Sequence, residues 1–446
     1  MSASGTSAVV RLAPDILRAA GLGSRCPVAS VTRLAGGSKK GAYRLGCSDG
    51  FSAVLYVWSA AEDYWLPDDG GDDADADGGA DVDGGDGDGD GAGVFGHASG
   101  LGLFLASARR LTEAGVRVPL VYLADRSHAV YPADIALVED VTGGTLEELL
   151  STDPGAALPV MGQLGEMLRS MWRRRAARTG KVVDVTAGDV TAGDVAAVDV
   201  TAAGDDAGGF DGGGAGGALG ASSSEKIVLE RALRHLALSA DRVPAVARVR
   251  PKLDETLLEL AALVRPRASY ALIHGELGPD HVFIDDRGGP VVIDIEGAMY
   301  FDVEWEHAFL RLRFERHYEW LRVSGLDERR MNLYALALDL SLIEGPLRVL
   351  DGGYPDREPM LAIAGWAVER VLAVADAKRL PFVIRRGLAL AGLGAHHWYG
   401  RNLPSRVTTT RSPAGSGTRW TSKRKLIALM MPSPNSSWIS SLIVGP

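Results

Sequence analysis

The segment 270–310 reads YALIHGELGPDHVFIDDRGGPVVIDIEGAMYFDVEWEHAFL and holds the densest set of reactive side chains in the chain. Short apolar runs separate its acidic and imidazole residues, which are His274, Glu276, His281, Asp294 and Glu296. The runs 282–284 and 291–293 predict two short strands joined by a turn at 287–289. Asp294 directly follows the second strand. Strands that deliver carboxylates and imidazoles from their ends into one cleft are typical of sites that hold Mg²⁺ beside a base.

This spacing resembles the catalytic core of the aminoglycoside phosphotransferase family, a branch of the protein-kinase-like fold. The family pattern is H-G-D-x-x-x-x-N followed by I-D-x-E, and this chain has H-G-E-L-G-P-D-H at 274–281 and I-D-I-E at 293–296. The resemblance implies an α+β bilobal fold, in which a small N-lobe with an antiparallel sheet plus a helix precedes a larger, mainly helical C-lobe. It also implies transfer of the γ-phosphate of ATP or GTP, with Mg²⁺, to a hydroxyl of an antibiotic or metabolite.

The order of predicted elements agrees with such a fold. Period-two runs predict five strands, at 28–34, 42–47, 52–58, 116–125 and 134–141. One helix is predicted at 101–114, between the third and fourth strands. Beyond the Gly143-Gly144 break the pattern is mostly helical, with helices predicted at 145–150, 156–177, 225–238, 253–264, 303–321, 327–344, 358–379 and 382–397.

Two low-complexity segments and a tail interrupt this pattern. Residues 66–96 contain eleven Asp and no basic residue, and residues 180–224 carry an imperfect five-residue repeat and a Gly/Ala tract. Neither has enough apolar content to form a core, so both are predicted to be flexible insertions. We therefore predict an N-lobe at 8–141, a C-lobe at 142–404 and a disordered basic tail at 405–446.

Composition excludes several classes of protein. The formal net charge of −10 comes largely from the two insertions, and the rest is near neutral, so nucleic acid is not an expected partner. No apolar run is long enough to cross a membrane and no signal peptide is recognisable, which predicts neither a membrane association nor secretion. The only cysteines, Cys26 and Cys47, are expected to be free thiols, which favours the cytoplasm. The oligomeric state stays open.

The resemblance assigns roles within the central segment. Glu276 stands at the family's catalytic Asp and is predicted to act as the base, or aligner, of the acceptor hydroxyl; capping of its own loop is the alternative. Asp294 is predicted to bridge Mg²⁺ to the phosphates, because a carboxylate that closes an apolar strand is costly without a partner. Glu296 is a further metal candidate. His281, at the family's metal-binding Asn, either coordinates metal weakly or only orients the loop. Three residues are predicted to brace the loops around them: His274, Asp302 and Glu306.

A glycine-rich turn between the first two predicted strands is the candidate phosphate loop. Glycines there let backbone N–H groups approach phosphate, and lysines add positive charge. Its residues are Gly36, Gly37, Ser38, Lys39, Lys40 and Gly41. An ordinary hairpin turn is the alternative. The adenine ring is expected to bind backbone groups near Glu139 and Val141.

Two departures from the family pattern concern one ion pair. The family has a Lys in its third strand that pairs with a Glu of the next helix and holds the α- and β-phosphates. Here Tyr56 stands at the expected Lys position, and no acid occurs between His97 and Thr112. Either Lys39 or Lys40 supplies the charge from the loop, or phosphate binding has been lost. The rival to a kinase is therefore a non-catalytic nucleotide-binding module, and a structural role without nucleotide is a third hypothesis.

Overall fold

An antiparallel sheet and two helices form the first part of the computed structural model, which describes residues 3–23, 27–34, 37–65, 94–96, 98–185 and 223–376. The sheet order is β1-β2-β3-β5-β4, and every neighbouring pair is antiparallel. The elements of this small lobe are α1 (Ala3–Ala19), β1 (Val28–Arg33), β2 (Gly41–Cys47), β3 (Ser52–Trp58), α2 (Leu101–Glu113), β4 (Val121–Asp125) and β5 (Asp134–Glu139). All five predicted strands and the predicted helix are present.

The two faces of the sheet pack against different parts of the molecule. Side chains alternate along a strand, so residues two apart share a face. In β3, Ala53, Leu55 and Val57 pack in a cluster with α1, whereas Val54 and Trp58 pack in the main core. Tyr56 has the same parity as Val54 and Trp58 and packs against that core. The strand therefore directs Tyr56 to the side of the sheet that faces α2 and the large lobe.

Helix α1 is not among the predicted elements. It covers the outer face of the sheet with four fully or almost fully buried side chains, Val9, Ala13, Ile16 and Leu17. Their spacing of four, three and one residues is that of a helical stripe, so the signal was present. Without this helix the apolar outer face of β2 and β3 would lie in water.

The large lobe is mainly helical. Its elements are α3 (Leu146–Thr152), α4 (Pro154–Trp172), β6 (Arg175–Ala176), β7 (Gly180–Lys181), α5 (Ser224–Arg242), α6 (Pro244–Ala262), β8 (Tyr270–Ile273), β9 (Val282–Ile284), β10 (Pro290–Val292), β11 (Met299–Phe301), α7 (Val303–Phe314), α8 (Glu328–Asp351) and α9 (Arg357–Asp376). Helices α5, α6, α8 and α9 pack on one another, and α7 packs on α8. The predicted fold class, a small sheet-containing lobe before a helical lobe, is confirmed.

Two small sheets lie between the helices and position the central segment. One is the β9–β10 hairpin, and the other is four-stranded in the order β6-β8-β11-β7. Strands β6 and β7 fall where a helix to residue 177 and a flexible segment from 180 were predicted. The helix ends at Trp172 because Arg175 and Ala176 pair instead with Ala271 and Tyr270 of β8, a contact between distant parts of the chain.

Several predictions lie outside the described residues: most of both insertions, the helix at 382–397 and the tail at 405–446. At the edge of the acidic segment, however, Val94 is buried and Phe95 packs on Phe301 and Trp305, with ring centroids 5.1 and 4.6 Å apart. These two residues therefore belong to the packed body.

The expectation of two free thiols does not hold, because Cys47 is disulfide-bonded. Among the described helices, none is both long and apolar enough to cross a bilayer.

Candidate active site

The β9–β10 hairpin places His281 beside Asp294. Val282 pairs with Val292, and the Ile293 N–H donates to the His281 carbonyl over 2.9 Å. The start of β9 therefore lies beside the end of β10. This brings His281 Nε2 to 3.8 Å from Asp294 Oδ2. Residues far apart in the motif are adjacent because the hairpin folds back on itself.

Asp294 has a backbone conformation that few residues adopt. Its φ of 57° and ψ of 48° are left-handed, and one turn of 3₁₀ helix, Ile295–Gly297, follows it. A residue with a Cβ pays a small steric cost there, which aspartate tolerates better than most. The conformation ends the strand abruptly and leaves the side chain 45% exposed beside Lys40 of the small lobe. Backbone strain of this kind is common at functional sites.

Lys40 connects the glycine-rich loop to the two carboxylates. Its ammonium group contacts Glu296 closely and lies 3.3 Å from Asp294 Oδ1. Burial lowers the pKa of the Lys40 ammonium, but attraction to Glu296 and then Asp294 outweighs this and holds the pKa above its usual range. Burial likewise raises the pKa of the Asp294 carboxyl, but attraction to Lys40 and then His281 outweighs it and holds this pKa well below its usual range. Both groups are therefore charged at neutral pH.

The glycine-rich loop is held in place from two sides. Trp65 donates its indole N–H to Ser38 Oγ over 2.8 Å, and the Tyr64 N–H donates to the Ser38 carbonyl over 2.8 Å. The Ser99 hydroxyl donates to the Lys39 carbonyl over 3.1 Å. Gly37 has a φ of 79°, and a Cβ there would lie 2.8 Å from the Lys40 carbonyl, so the tight turn requires glycine. Gly36 lies outside the described residues.

Glu276 stands in the loop between β8 and β9. Gly275 has a φ of 97°, and a Cβ on it would lie 2.9 Å from the Gly297 carbonyl, so this loop crosses the turn after Asp294 closely. A Cβ on Gly297 would in turn lie 3.4 Å from Glu276 Oε1. The Glu276 carboxylate is half-buried and has no hydrogen-bond or ion-pair partner among the described residues. It is therefore available to a ligand.

His274 and Glu306 contact the backbone of this loop region. His274 Nε2 donates to the Ile293 carbonyl over 3.0 Å, and burial lowers the pKa of its ring, so the imidazole is neutral. The Gly275 N–H donates to Glu306 Oε2 over 2.7 Å, and burial raises the pKa of Glu306 to about 7. These contacts are the kind that would brace the loop, as predicted for both residues.

Asp302 lies in a buried network behind the loop. It accepts hydrogen bonds from the Ser224 hydroxyl over 2.6 Å, from Arg330 and from the Tyr334 hydroxyl. Arg330 is itself fully buried. Because the network joins the start of α5 to α8 and to the start of α7, it anchors the helices on which the loop rests.

The predicted adenine-binding segment is anchored by two arginines. Arg117 Nη2 donates to both carboxylate oxygens of Glu139 over 2.8 and 2.6 Å, and Arg44 pairs with the buried Asp140 over 2.7 Å. The Glu139 N–H donates to the Leu120 carbonyl over 2.8 Å and is not free for a base. Val141 is buried at the same corner.

The residues beside Lys40 fit a magnesium ion. Mg²⁺ prefers oxygen ligands and is held by one or two carboxylates together with substrate phosphates and water. Asp294 is partly exposed, and Glu296 Oε2 is buried without a hydrogen-bond partner among the described residues. No group of three or more His, Cys, Asp or Glu side chains that could hold a metal occurs in the described ranges. Any ion here would therefore depend on the phosphates for most of its ligands.

Several contacts of the site could not be read from motifs. Trp65 contacts the loop from just before the acidic segment and Ser99 from just after it. Asp280 pairs with Arg313 of α7 over 2.6 Å. Glu296 was predicted either to bind a second metal ion or to lie behind the metal ligands; in the structure it is the closest partner of Lys40.

Glu304 lies in the first turn of α7 and faces the interior of the large lobe. It is fully buried and forms two hydrogen bonds with Arg267, of 2.5 and 2.6 Å. Glu315 and Glu319 are exposed.

Comparison with known proteins gives one family and several similar structures. The family model described as the phosphotransferase enzyme family (APH) matches residues 96–318, half of the 446 residues. This region contains the segment from His274 to Glu306 but not the glycine-rich loop. A search of curated proteins found no significant match.

Three solved structures illustrate the similarity. A thermostable mutant of aminoglycoside phosphotransferase APH(4)-Ia, in complex with AMP-PNP and hygromycin B, is 16% identical, with 84% of this chain and 100% of that chain covered and a TM-score of 0.47. Choline kinase LicA from Streptococcus pneumoniae is 14% identical, with coverage of 81% and 99% and a TM-score of 0.47. The GDP and kanamycin complex of APH(2")-IIia is 16% identical, with coverage of 83% and 97% and a TM-score of 0.44.

Proposed function

The chain belongs to the phosphotransferase enzyme family, and from this premise we propose that it moves the γ-phosphate of ATP or GTP to a hydroxyl group of an antibiotic or metabolite. Family membership confirms the predicted enzyme class, a small-molecule phosphotransferase with an alcohol group as acceptor. The choice of nucleotide, the acceptor and Mg²⁺ belong to the proposal, and the cytoplasmic location stays a prediction.

One observation supports the proposal most. Lys40, His281, Asp294 and Glu296 meet below the glycine-rich loop, although Lys40 and Asp294 are 254 positions apart along the chain. A cation beside two carboxylates is the arrangement that a metal-bound triphosphate requires. The strained backbone of Asp294 shows that the fold accepts a cost to hold its carboxylate there.

In the proposed complex, the nucleotide phosphates lie under the loop of Gly37, Ser38, Lys39, Lys40 and Gly41. The base lies near Glu139 and Val141. Asp294 and Glu296 would hold Mg²⁺, with His281 beside them; bound there, the ion supplies positive charge to the phosphate oxygens.

The remaining chemistry belongs to Glu276 and the loop that carries it. Glu276 aligns the acceptor hydroxyl and accepts its proton. The hydroxyl oxygen forms a bond to the γ-phosphorus, and the bond from that phosphorus to the β,γ-bridging oxygen breaks, which leaves ADP or GDP. His274, Asp302 and Glu306 are proposed to keep the loop in position through the contacts described above.

The test is an acceptor screen read by mass spectrometry, with ATP or GTP and Mg²⁺, on aminoglycosides, macrolides and hydroxylated metabolites. We expect at least one acceptor to gain a phosphate, and Asp294→Ala to reduce this turnover by about a thousandfold or more with the fold retained. Turnover that survives in Asp294→Ala would contradict the assigned role of this carboxylate.

A second candidate function, a non-catalytic nucleotide-binding module, is favoured by one observation. The third strand has Tyr56 at the position where the family has its phosphate-binding lysine. Thermal stabilisation by Mg²⁺–ATP without turnover on any hydroxyl would support this module. No thermal shift with any nucleotide would exclude both candidates.

A further inference from the structure

We propose that Lys40 is the cation that holds the nucleotide phosphates in this enzyme, with Glu296 as its carboxylate partner and Tyr56 as its support. The inference rests on the proposed function, because it concerns the nucleotide of that same site. It goes further by proposing that one lysine, one glutamate and one aromatic ring, from three separate parts of the chain, act together to bind the phosphates.

The position of Lys40 supports this assignment. It is the last residue before β2 and so lies at the junction of the glycine-rich loop and the sheet. Its side chain is only 12% exposed, although a lysine is seldom buried without a partner. Its ammonium group reaches Glu296 and Asp294, which follow the β9–β10 hairpin more than 250 residues later. A buried cation that joins the loop to the metal-binding carboxylates lies where phosphates would enter.

Tyr56 explains why the third strand needs no lysine of its own. Ala42 pairs with Tyr56 across β2 and β3, so Lys40 is its diagonal neighbour on the same face of the sheet. The Lys40 ammonium lies 5.1 Å from the centre of the Tyr56 ring, a cation–π distance. Phe104 of α2 meets the same ring edge-on, with centroids 5.6 Å apart, which fixes its orientation. The ring therefore occupies the space below the ammonium and supports it from β3.

Glu296 supplies the carboxylate that α2 lacks. The only acid in α2 is Glu113, in its last turn, where it pairs with Arg109 on the surface. Helix α2 instead packs against the 3₁₀ turn Ile295–Gly297, which carries Glu296 to the lysine. One oxygen of Glu296 contacts Lys40, and the other is buried with no hydrogen-bond partner among the described residues. An unsatisfied buried carboxylate oxygen is costly, which indicates a site that a ligand completes.

Lys39 provides the natural comparison within the same loop. Its ammonium lies 5.4 Å from the centre of the Trp65 ring, so it points toward the residues that hold the loop and not toward Tyr56. Neither Asp294 nor Glu296 forms an ion pair with Lys39 among the described residues. The two adjacent lysines therefore carry equal charge but lie in different surroundings.

The experiment compares binding of Mg²⁺–ADP and of adenosine by isothermal titration calorimetry. Lys40→Met should bind Mg²⁺–ADP about 10- to 100-fold more weakly than wild type, because a charge-assisted contact to phosphate is lost. Adenosine has no phosphate, so its dissociation constant should change by less than about twofold. Lys39 lies in the same loop, so Lys39→Met should also weaken Mg²⁺–ADP binding, but by only about threefold and so clearly less than Lys40→Met does.

A rescue variant separates a phosphate contact from a structural role. In Lys40→Met combined with Tyr56→Lys, a lysine returns to the third strand, and we expect at least half of the lost binding free energy to return. If Lys40→Met is too unstable because Asp294 and Glu296 then repel each other, Lys40→Met with Glu296→Gln removes that repulsion. Its binding of Mg²⁺–ADP is then compared with that of Glu296→Gln alone, since Glu296 is also a proposed metal ligand.

Each result decides between the two proposals. Unchanged Mg²⁺–ADP binding in Lys40→Met, or an equal loss for adenosine, would overturn the role of Lys40 while leaving the proposed function intact. Absence of nucleotide binding by the wild-type protein would overturn the proposed function itself, and this inference with it.

Discussion

At the scale of single residues, the region around Asp294 contains groups that are unfavourable for folding unless a ligand binds there. Asp294 has a left-handed backbone, Glu296 has a buried oxygen without a partner in the described part of the chain, and Glu306 is a fully buried carboxyl. Each of these features opposes folding by a small amount. Their concentration around one loop indicates that the loop is held for its chemistry and not for stability.

Glu306 gives a prediction about pH. Burial raises its pKa to about 7 from an ordinary value of 4.5, although hydrogen bonds from the Gly275 and His274 N–H groups oppose the rise. Below pH 4.5 the carboxyl is protonated in both the folded and unfolded states. Between pH 4.5 and about 7 only the unfolded state releases the proton, so stability is lost as pH rises.

Glu306→Gln removes this titration. The unfolding free energy of wild type relative to the variant should fall by up to about 3 kcal/mol across this pH range. Urea unfolding at several pH values measures it. If the unfolding free energies of the two proteins change in parallel with pH, Glu306 does not titrate over this pH range.

At the scale of elements, close backbone contacts bring the lobes to the site. A Cβ on Gly143 would lie 2.2 Å from the Ile284 carbonyl, so the segment after β5 touches the β9–β10 hairpin directly. Helix α3 begins immediately afterwards, with a capping box between Thr145 and Glu148. On the far side of the sheet, α1 covers the apolar face of β2 and β3. The site therefore depends on elements that contribute no side chain to it.

Helix α1 gives a prediction about stability with a matched control. Val9 is fully buried against the sheet, whereas its neighbour Val10 is 53% exposed. Val9→Ala should lower the unfolding free energy by about 2 kcal/mol, because it removes buried methyl groups and leaves a cavity. Val10→Ala should change it by less than about 0.5 kcal/mol. Equal effects of the two substitutions in denaturant unfolding would mean that α1 does not pack on the sheet as described.

At the scale of the whole molecule, two neighbouring aromatic residues of the small lobe, Tyr64 and Trp65, contact the large lobe. The Trp65 ring lies 4.8 Å from the Arg348 guanidinium of α8, and the rings of Tyr64 and Tyr354 are 5.3 Å apart. The same Trp65 donates to Ser38 in the glycine-rich loop. The position of that loop is therefore coupled to α8 of the large lobe.

Trp65→Ala should release this coupling. We expect the amide hydrogens of residues 37–41 to exchange about 5- to 30-fold faster, because one hydrogen bond and two cation–π contacts are lost. Hydrogen exchange read by mass spectrometry measures this. The control is Trp320→Ala, since Trp320 is 54% exposed in the large lobe. Equal protection of the loop in both variants would show that Trp65 does not hold it.

Much of the fold could be predicted because its signals are local. Strand and helix periods predicted the five-stranded sheet and α2 within a few residues, and motif spacing predicted the hairpin before Asp294. Helix α1 was missed although its stripe was present. Strands β6, β7 and β11 could not be found in this way, because two- and three-residue strands have no period and exist only through pairing with β8 and with each other.

The amino-acid sequence by itself determined the family and the bilobal fold, and it supplied the candidate residues for metal and phosphate, because these depend on residue type and short spacing. It left open whether Lys39 or Lys40 supplies the missing charge, since the two adjacent lysines have the same chemistry. Only the tertiary structure distinguished the surroundings of the two lysines, by placing Lys40 over Tyr56 and against Glu296, and Lys39 over Trp65. This difference is the basis for proposing Lys40. The physical reason is that an ion pair depends on distance in space, and residues 40, 56 and 296 become neighbours only when the sheet, α2 and the hairpin pack together.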